Sequence, residues 1–484
     1  MKKTWTLLLL LTSAACEKSL DLAPLSNLTN ATYYQSAADA LAVVNSCYAH
    51  LNSAYGAADG YVFPDLVTTD DAVPFLTGGP DRPLLWRYNI TSFNVYVNLY
   101  STSYAGINRC NTVIDRLPGI AMDEALKKRY VAEARFIRAL HYFNLVRLYG
   151  DVPLVTRETT SLEGLNVSRA PADDVYALIE ADLKEAETTL PRTYPAADAG
   201  RATQGAAKAL LAKVYLTRAG TTKGSPFWAQ AAAKCKEVID LGVYDLWPNY
   251  ADAFSLAAKG GRESVFEVQY LTDVRGNPFG THYGVRSVPL YPGPGSGAAR
   301  VSPSLFNAFS ANDRRRSVTF QTSYTLNGVT VNLSATDPDP TRAVSFQKLW
   351  DRTARTNAGG LSFPIIRYAD VLLMQAEALN ETGNGPSADA YAALNRVRTR
   401  AGLTPAANLD YATFREAVWQ ERRLEFAFEA QRRFDLLRTG RLLDAVKAEN
   451  SFNRNATIQP FHALLPLPQA EMDANPNLKQ NPGY

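Results

Sequence analysis

Apolar residues recur with a helical period in nine segments of this 484-residue chain. A period of about 3.6 residues places apolar side chains along one face of an α-helix. Stop signals such as Leu117-Pro118-Gly119 end several of these segments. The sequence therefore predicts an all-α fold. The predicted helices are residues 31–53, 92–117, 123–149, 172–190, 203–219, 227–241, 366–382, 387–401 and 411–439.

Residues 203–241 indicate how these helices pack. The stretch AAKALLAKVYLTRAG places Ala, Leu and Tyr on one stripe, and a turn connects it to WAQAAAKCKEVIDLG. Small residues at helix crossings beside a bulky stripe are typical of tetratricopeptide-like hairpins, although the strict repeat of about 34 residues is absent. Because residues 123–190 and 366–401 have a similar helix–turn–helix plan, we expect a degenerate array of helical hairpins.

Two irregular stretches, residues 54–91 and 271–364, interrupt the helical pattern. The second contains SYTLNGVTVNL, whose alternation around an Asn-Gly turn predicts a small β-hairpin. Loops of this length in a compact protein are usually functional or disordered, and the many aromatic residues argue against disorder. We therefore predict that these two stretches are functional.

The chain begins with MKKTWTLLLLLTSAACEK, which is typical of an exported lipoprotein. Two lysines precede an apolar run that is too short to span a bilayer, and Cys16 follows three small residues. We predict a signal peptide at residues 1–15, lipidation at Cys16 and a tether at residues 16–29. Several acyl chains would anchor the mature protein stably to a membrane. Secretion without lipidation is the alternative.

The mature chain is close to electrically neutral. The formal net charge is +3, and removal of residues 1–15 with their two lysines leaves +1. Because non-specific nucleic-acid binding depends on a positive surface, this balance argues against nucleic acid as a partner.

Cysteine and histidine give no sign of a metal or catalytic centre. Cys47, Cys110 and Cys235 lie in helical patterns, which favours buried free thiols, with a Cys47–Cys110 disulfide as an open alternative. The four histidines lack zinc spacing, and the chain has no GxSxG, P-loop or dinucleotide-binding motif. We therefore predict no metal, no cofactor and no catalytic residue. Carboxylate pairs are plentiful, so hydrolysis is unsupported rather than excluded.

Residues 421–440, ERRLEFAFEAQRRFDLLRTG, combine nine charged residues with three phenylalanines. On a helix, Glu421, Glu425 and Glu429 would share one face, where like charges repel unless cations intervene. The phenylalanines imply partial burial, and buried carboxylates need partners. We predict a Glu–Arg network that connects this segment to the helix carrying Arg367. An acidic active site and an RNA-binding helix are the less favoured interpretations.

Several sequence blocks resemble the SusD/RagB family of outer-membrane nutrient-binding lipoproteins. In chain order they are YAGINRCNTVID, RFIRALHYFNLVRLYGDVPLV, FPIIRYADVLLMQAEALNETG, ALNRVRTRAGL, ERRLEFAFEAQRRFDLLRTG and LLPLPQAEMDANPNLKQNPGY. The resemblance implies a tetratricopeptide-like superhelix with a loop-rich, ligand-binding part. It also implies an N-terminal helical region at 30–270 with a ligand loop at 54–91. The C-terminal region, 271–484, would hold an irregular ligand-binding segment at 271–364 and signature helices at 365–440.

The resemblance also implies a function. Such proteins are not enzymes; they bind oligosaccharides and deliver them to a SusC-like TonB-dependent transporter. A peptide ligand, as in RagB-like proteins, and a structural adaptor without its own ligand are the alternatives, and a lipid-anchored hydrolase is less favoured. The implied location is the outer membrane, through the lipid on Cys16, with exposure at the cell surface. Because only Glu17 and Asp21 supply acidic residues after Cys16, a periplasm-facing position stays open.

Sugars present weakly apolar CH faces and hydroxyl edges, so a sugar site needs exposed aromatic rings with polar groups at their rims. The two irregular stretches contain both, and the ligand contacts of the family come from comparable loops. The TTDDA segment resembles a family position where an acidic residue reaches the ligand. The predicted ligand-binding residues are Trp86, Tyr283, Tyr291, Asp70, Asp71, Arg82 and Phe75. Other members of the two aromatic and polar sets are Tyr61, Phe63, Tyr88, Asp81, Arg87, Asn277, His282 and Arg286.

Overall fold

The computed structural model describes residues 34–56, 60–77, 79, 81–94, 99–161 and 163–484. The predicted signal peptide, Cys16 and most of the segment before the first helix lie outside the described residues. α-Helices account for most of the regular structure. They are α1 Ala37–Gly56, α2 Val62–Val67, α3 Asp81–Arg87, α4 Leu99–Arg116, α5 Glu124–Tyr149, α6 Ala172–Thr189, α7 Gln204–Ala219, α8 Pro226–Asp240, α9 Phe279–Tyr283, α10 Pro303–Ala308, α11 Arg316–Thr319, α12 Tyr368–Gly383, α13 Ala388–Arg400, α14 Tyr411–Glu425, α15 Arg432–Arg438, α16 Leu442–Ala448 and α17 Gln469–Ala474.

The all-α prediction is confirmed, and eight of the nine predicted helices each overlap one observed helix. The predicted helix at 411–439 is wrong, because the chain leaves the helical conformation between α14 and α15. Phe428 (φ 68°) and Ala430 (φ 52°) adopt left-handed backbone conformations there. The Phe428 ring stacks on Phe346 with a centroid distance of 4.7 Å, so aromatic packing holds the break in place.

Short strands within the described residues pair two by two. They are β1 Ala72–Pro74, β2 Val152–Pro153, β3 Arg169–Ala170, β4 Ser264–Val268, β5 Ala299–Val301, β6 Phe320–Gln321, β7 Ser323–Leu326, β8 Val329–Asn332, β9 Ser345–Phe346 and β10 Phe363–Arg367. The antiparallel pairs are β1–β5, β2–β3, β4–β10, β6–β9 and β7–β8. The β7–β8 pair confirms the predicted hairpin, and Asn327 and Gly328 have the positive φ angles of its turn.

The long helices pack largely in chain order, as expected for an array of helical hairpins. α1 packs on α4, α4 on α5, α5 on α6, α6 on α7 and α7 on α8; α12 packs on α8 and then on α13 and α14. α5 is buried along most of its length, including Glu133 and Arg138. The β4–β10 ribbon contacts α1, α7 and α12, so the loop-rich part of the chain is fixed directly to the helical array.

The three remaining cysteines, Cys47, Cys110 and Cys235, are buried free thiols, as the sequence predicts. In the described part of the chain, no helix has the length and apolar composition needed to cross a lipid bilayer.

The predicted Glu–Arg network is present and buried. Arg367, at the end of β10, donates to Glu425 at 2.8 Å and to both carboxylate oxygens of Glu429 at 2.7 and 2.8 Å. Glu425 also accepts hydrogen bonds from Arg400 at 2.6 Å and from Arg315 at 3.1 Å. This network connects the helical array to the loop region through Arg315.

Burial by itself would raise the pKa of Glu425, because a charged carboxylate loses hydration. Arg400, Arg367, Arg315 and Lys348 outweigh this effect and lower the pKa of Glu425 to about 2. A carboxyl group with a lowered pKa stabilises the folded state above its unfolded pKa, and this contribution is lost as the pH falls toward the folded value.

We expect Glu425→Gln to lower the free energy of unfolding by about 3–5 kcal/mol near neutral pH, because buried arginines lose their anion. The difference from the wild type decreases as the pH falls from about 5 toward about 2, since the wild-type carboxylate then becomes protonated. Urea unfolding followed by circular dichroism at several pH values measures both effects.

Glu416→Gln is the matched control on the same helix. Glu416 makes a surface ion pair with Arg441 at 3.1 Å, so its loss costs less than about 1 kcal/mol. Equal destabilisation by the two substitutions would contradict a dominant role for the buried network.

Candidate functional site

Two of the aromatic residues predicted as exposed platforms, Trp86 and Tyr283, are almost completely buried. Trp86 is 0% exposed, and the guanidinium group of Arg454 lies 5.5 Å from its ring centroid. Tyr283 is 1% exposed and packs edge-to-face on Phe428 at 4.8 Å. The prediction that these rings are displayed to a ligand is wrong, because both fill the core beneath the loops.

The two acidic residues of the TTDDA segment form ion pairs with arginines of the same chain. Asp70 accepts two hydrogen bonds from Arg432, both at 2.8 Å, and Asp71 accepts one from Arg423 at 2.9 Å. Burial opposes ionisation of Asp70, but Arg423 and Arg432 outweigh it and lower its pKa to about 2. Burial raises the pKa of Asp71. These carboxylates attach the first loop to the charged C-terminal segment, and their role as ligand contacts stays a prediction.

Tyr291, the third aromatic residue predicted as a platform, is also buried. Its side chain is 8% exposed, and its hydroxyl accepts a hydrogen bond from the Val285 amide at 3.0 Å. Its ring lies 4.5 Å from the ring of Trp350, which is half-buried. Tyr291 therefore supports Trp350 rather than forming an open platform of its own.

Phe75 lies in a surface cleft, hereafter the Phe75 cleft, with a volume of about 380 Å³. This volume lies within the range of small-molecule sites. The β1–β5 ribbon forms its base: Pro74 pairs with Ala299, and the Phe75 amide donates to Ala298 at 2.9 Å. The two irregular stretches therefore meet in one site. The lining residues are Pro74, Phe75, Leu76, Thr77, Gly284, Val285, Arg286, Gly297, Ala299, Arg300, Pro338, Pro340, Ala343 and Ser345.

Glycines allow the chain segments around the Phe75 cleft to approach closely. A Cβ atom on Gly284 would lie 2.2 Å from the Tyr291 ring, and one on Gly295 would lie 2.2 Å from the Val285 carbonyl oxygen. Gly297 has a φ of +57°, which most side chains disfavour. The glycine-rich stretch after Tyr291 thus folds back against residues 284–288 and closes one wall.

Two stacked cation–aromatic pairs define the chemistry of the Phe75 cleft. The Arg286 guanidinium carbon lies 3.7 Å from the Phe75 ring centroid, and that of Arg300 lies 3.8 Å from the Phe452 ring centroid. Phe75, Arg286 and Arg300 are all half-buried. The cleft therefore offers aromatic surface for sugar CH groups and nitrogen donors for sugar oxygens.

A second groove, of about 430 Å³, lies on the other side of Tyr291. Trp350 and Phe254 are the aromatic residues in its described lining, and Arg352 lies 3.8 Å from the Trp350 ring centroid while donating to Gln347 at 2.7 Å. We call this second groove the Trp350 groove. It gives the loop region a second aromatic surface, although it has no predicted site residue in its lining.

The other predicted residues are placed away from both sites. Arg82 lies over the Phe63 ring at 5.4 Å and does not line the Phe75 cleft, so its ligand role stays a prediction. Asn277 is buried and donates to the Leu361 carbonyl at 2.7 Å. His282 is buried, and this burial, together with Arg82, lowers its pKa to about 4.

Phe75 and Arg286, which line the Phe75 cleft, are among the residues singled out from the sequence, whereas Arg300, Trp350 and Arg352 are not. Trp350 stands in KLWDR, where a large ring next to charged residues in a long loop is the same signal that drew attention to Trp86 in LWRY. Only the tertiary structure distinguishes the two tryptophans, since Trp86 is buried and Trp350 is half-buried. Among the described residues, no group of His, Cys, Asp and Glu is arranged to hold a metal ion.

Two family profiles match this chain. One, described as SusD family, matches residues 344–484, and the other, described as starch-binding and associating with the outer membrane, matches residues 82–216. A SusD-like protein, P25, from Formosa agariphila is 31% identical, over 97% of this chain and 97% of that protein.

Solved structures agree with the sequence matches. A SusD superfamily protein from Parabacteroides distasonis has a TM-score of 0.83 and 28% identity, covering 95% of this chain and 100% of its own. A laminarin-binding SusD-like protein has a TM-score of 0.80 and 29% identity, covering 93% of this chain and 100% of its own. The helical architecture and the loop region are therefore similar to those of known proteins along nearly the whole chain.

We expect Trp86→Ala to lower the free energy of unfolding by about 3–5 kcal/mol, because it opens a cavity in the core. Phe75→Ala, at the half-buried cleft, lowers it by about 1 kcal/mol or less. Urea unfolding of both variants measures the difference. A Trp86→Ala protein as stable as the wild type would contradict the structural role assigned to this ring.

Proposed function

This chain belongs to the SusD family, and from that membership we propose that it is a non-catalytic outer-membrane lipoprotein that binds oligosaccharides. The observation that carries the proposal is the Phe75 cleft, where two loop regions bring a ring and two guanidinium groups together on one surface. A laminarin-binding protein of 29% identity has a similar fold, which supports a glycan as the ligand.

The geometry of the Phe75 cleft suits binding without chemistry. The described residues of its lining include no carboxylate or histidine that could act as an acid or base, and none that could activate the hydroxyl groups of Thr77 and Ser345. Hydrolysis of a glycosidic bond commonly uses two facing carboxyl groups. The lining residues instead provide contacts for reversible binding of a sugar chain.

The finer parts of the proposal concern location and partner. We propose that Cys16 carries the lipid anchor, that the protein faces the cell exterior, and that it delivers its ligand to a SusC-like TonB-dependent transporter. The family description of association with the outer membrane supports this location, and the resemblance of the C-terminal blocks supports the partner.

The ligand proposal is tested by calorimetric titration with a panel of neutral and charged oligosaccharides and short peptides. We expect Phe75→Ala to weaken binding of the best oligosaccharide about tenfold, which corresponds to about 1.4 kcal/mol, because a ring contact with the sugar is lost.

Phe93→Ala is the matched control, since Phe93 is 77% exposed and does not line the cleft. Trp350→Ala tests the alternative position, the Trp350 groove. Undiminished binding by folded Phe75→Ala protein would remove the Phe75 cleft as the site. Binding of peptides alone would favour a peptide-capture function, and no binding at all would favour a structural adaptor.

We expect Cys16→Ser to move the protein from the outer-membrane fraction to the soluble fraction, because the acylated thiol is lost. Membrane fractionation with immunoblotting measures this change. Cys47→Ser serves as the control, since that buried thiol has no role in anchoring. Retention of the Cys16→Ser protein in the membrane would contradict lipid anchoring at this residue.

A further inference from the structure

The Phe75 cleft is cationic. Arg286 and Arg300 contribute positive charge to its lining, and none of the other lining side chains is acidic. Several buried arginines elsewhere follow a different pattern: Arg315, Arg367 and Arg422 each contact two or more carboxylates. Within the described residues, neither Arg286 nor Arg300 makes an ion pair.

The guanidinium groups of the cleft have N–H donors that are not used within the described part of the protein. Arg286 donates from Nη1 to the Ser296 carbonyl at 2.7 Å, and Arg300 donates from Nη1 to the carbonyls of Asp337 at 2.7 Å and Pro338 at 3.3 Å. Neither Nε nor Nη2 of either arginine donates to another residue in the described part of the chain. Each group therefore retains N–H donors that can bind an incoming acceptor.

Arg454 is a useful comparison, because it is a structural arginine that makes no ion pair in the described part of the chain. It is fully buried, and its Nε, Nη1 and Nη2 atoms donate to the carbonyls of Trp86, Thr69 and Val67. All three nitrogen atoms of Arg454 are thus occupied. Arg286 and Arg300 differ because they are half-buried and only one nitrogen of each is used.

Aromatic rings hold the two guanidinium groups in position. Arg286 lies over the Phe75 ring and Arg300 lies over the Phe452 ring, so each group rests against an aromatic face. Stacking engages the face of a guanidinium group and leaves the N–H groups at its edge. A fixed, planar pair of edge donors matches the oxygen spacing of a carboxylate or a sulfate ester.

The nearest acidic side chains, Asp337 and Asp339, are directed to their own loop. Asp337 lies 3.6 Å from Arg342 and accepts a hydrogen bond from the Asp339 amide, and Asp339 accepts hydrogen bonds from Thr341. Burial lowers the pKa of Arg300 despite the opposing influence of these two carboxylates. The positive charge of Arg300 is therefore only partly compensated within the protein.

Resting on the glycan-binding function proposed above, we propose that the Phe75 cleft selects acidic oligosaccharides. The carboxylate or sulfate ester of one sugar unit pairs with the free edges of Arg286 and Arg300, and the neutral parts of the chain contact Phe75. The cleft then distinguishes charged sugars from neutral sugars of the same backbone.

The test is a calorimetric comparison of matched charged and neutral ligands. Oligogalacturonate with its methyl ester forms the carboxylate arm, a sulfated galactan oligosaccharide with its desulfated form makes the sulfate arm, and laminarihexaose is the neutral reference. We expect a charged member to bind at least about tenfold more tightly than its neutral counterpart, with weaker binding at higher salt. The arm that shows the preference identifies the anion.

Substitutions assign the effect to the two arginines. Arg286→Gln and Arg300→Gln should each reduce the preference for the charged ligand, and Arg286→Lys and Arg300→Lys should restore part of it because the charge is retained. Arg157→Gln, which removes an 82% exposed positive charge paired with Asp115, is the control for net charge. Circular dichroism and urea unfolding verify that every variant is folded.

Each outcome separates the two proposals. Equal binding of charged and neutral sugars, or a charge preference that survives in both Gln variants, overturns the acidic-ligand inference while the glycan-binding function stands. Binding to no glycan in the panel counts against the proposed function and, with it, the inference. A charge preference that is lost in the Gln variants but kept in the Arg157→Gln protein supports both.

Discussion

The contact between Arg367 and the carboxylates of Glu425 and Glu429 is the interaction on which the architecture depends. It joins the end of β10, the start of α12 and the break between α14 and α15, and Arg315 extends it into the loop region. Ions buried this deeply require charged or hydrogen-bonding partners, because a buried charge without them would cost several kcal/mol. The helical array and the loops are therefore folded as one unit around a shared set of charges.

The same charged segment also positions the site. Arg423 and Arg432 bind Asp71 and Asp70, directly before β1, and β1 leads to Phe75. The pairing of β1 with β5 then carries Arg300 to the opposite side of the cleft. Ion pairs that could be taken for an active site in the sequence thus hold in place the proposed recognition surface several residues away.

The helices and the buried network could be predicted from the sequence. The residues that line the candidate site could not. Helical periodicity and the need of buried carboxylates for partners are local arguments, and they correctly identified the helical array and the role of Arg367. Exposure is not a local property: Trp86 and Phe75 stand in similar aromatic loop contexts, and only the packing of Arg454 and the core decides that Trp86 is buried. The helix break at Phe428 was missed for the same reason, because distant aromatic rings override a strong local helical pattern.

The insertion of the Phe428 ring between Phe346 and Tyr283 has an evolutionary consequence. It anchors the floor of the loop region through groups that do not line the Phe75 cleft, whereas lining residues such as Thr77 and Pro338 are exposed at the surface. Sequence drift at the rim can therefore change which molecule is recognised without loosening the frame. Paralogues that share one scaffold of this kind can therefore differ in the ligand that they bind.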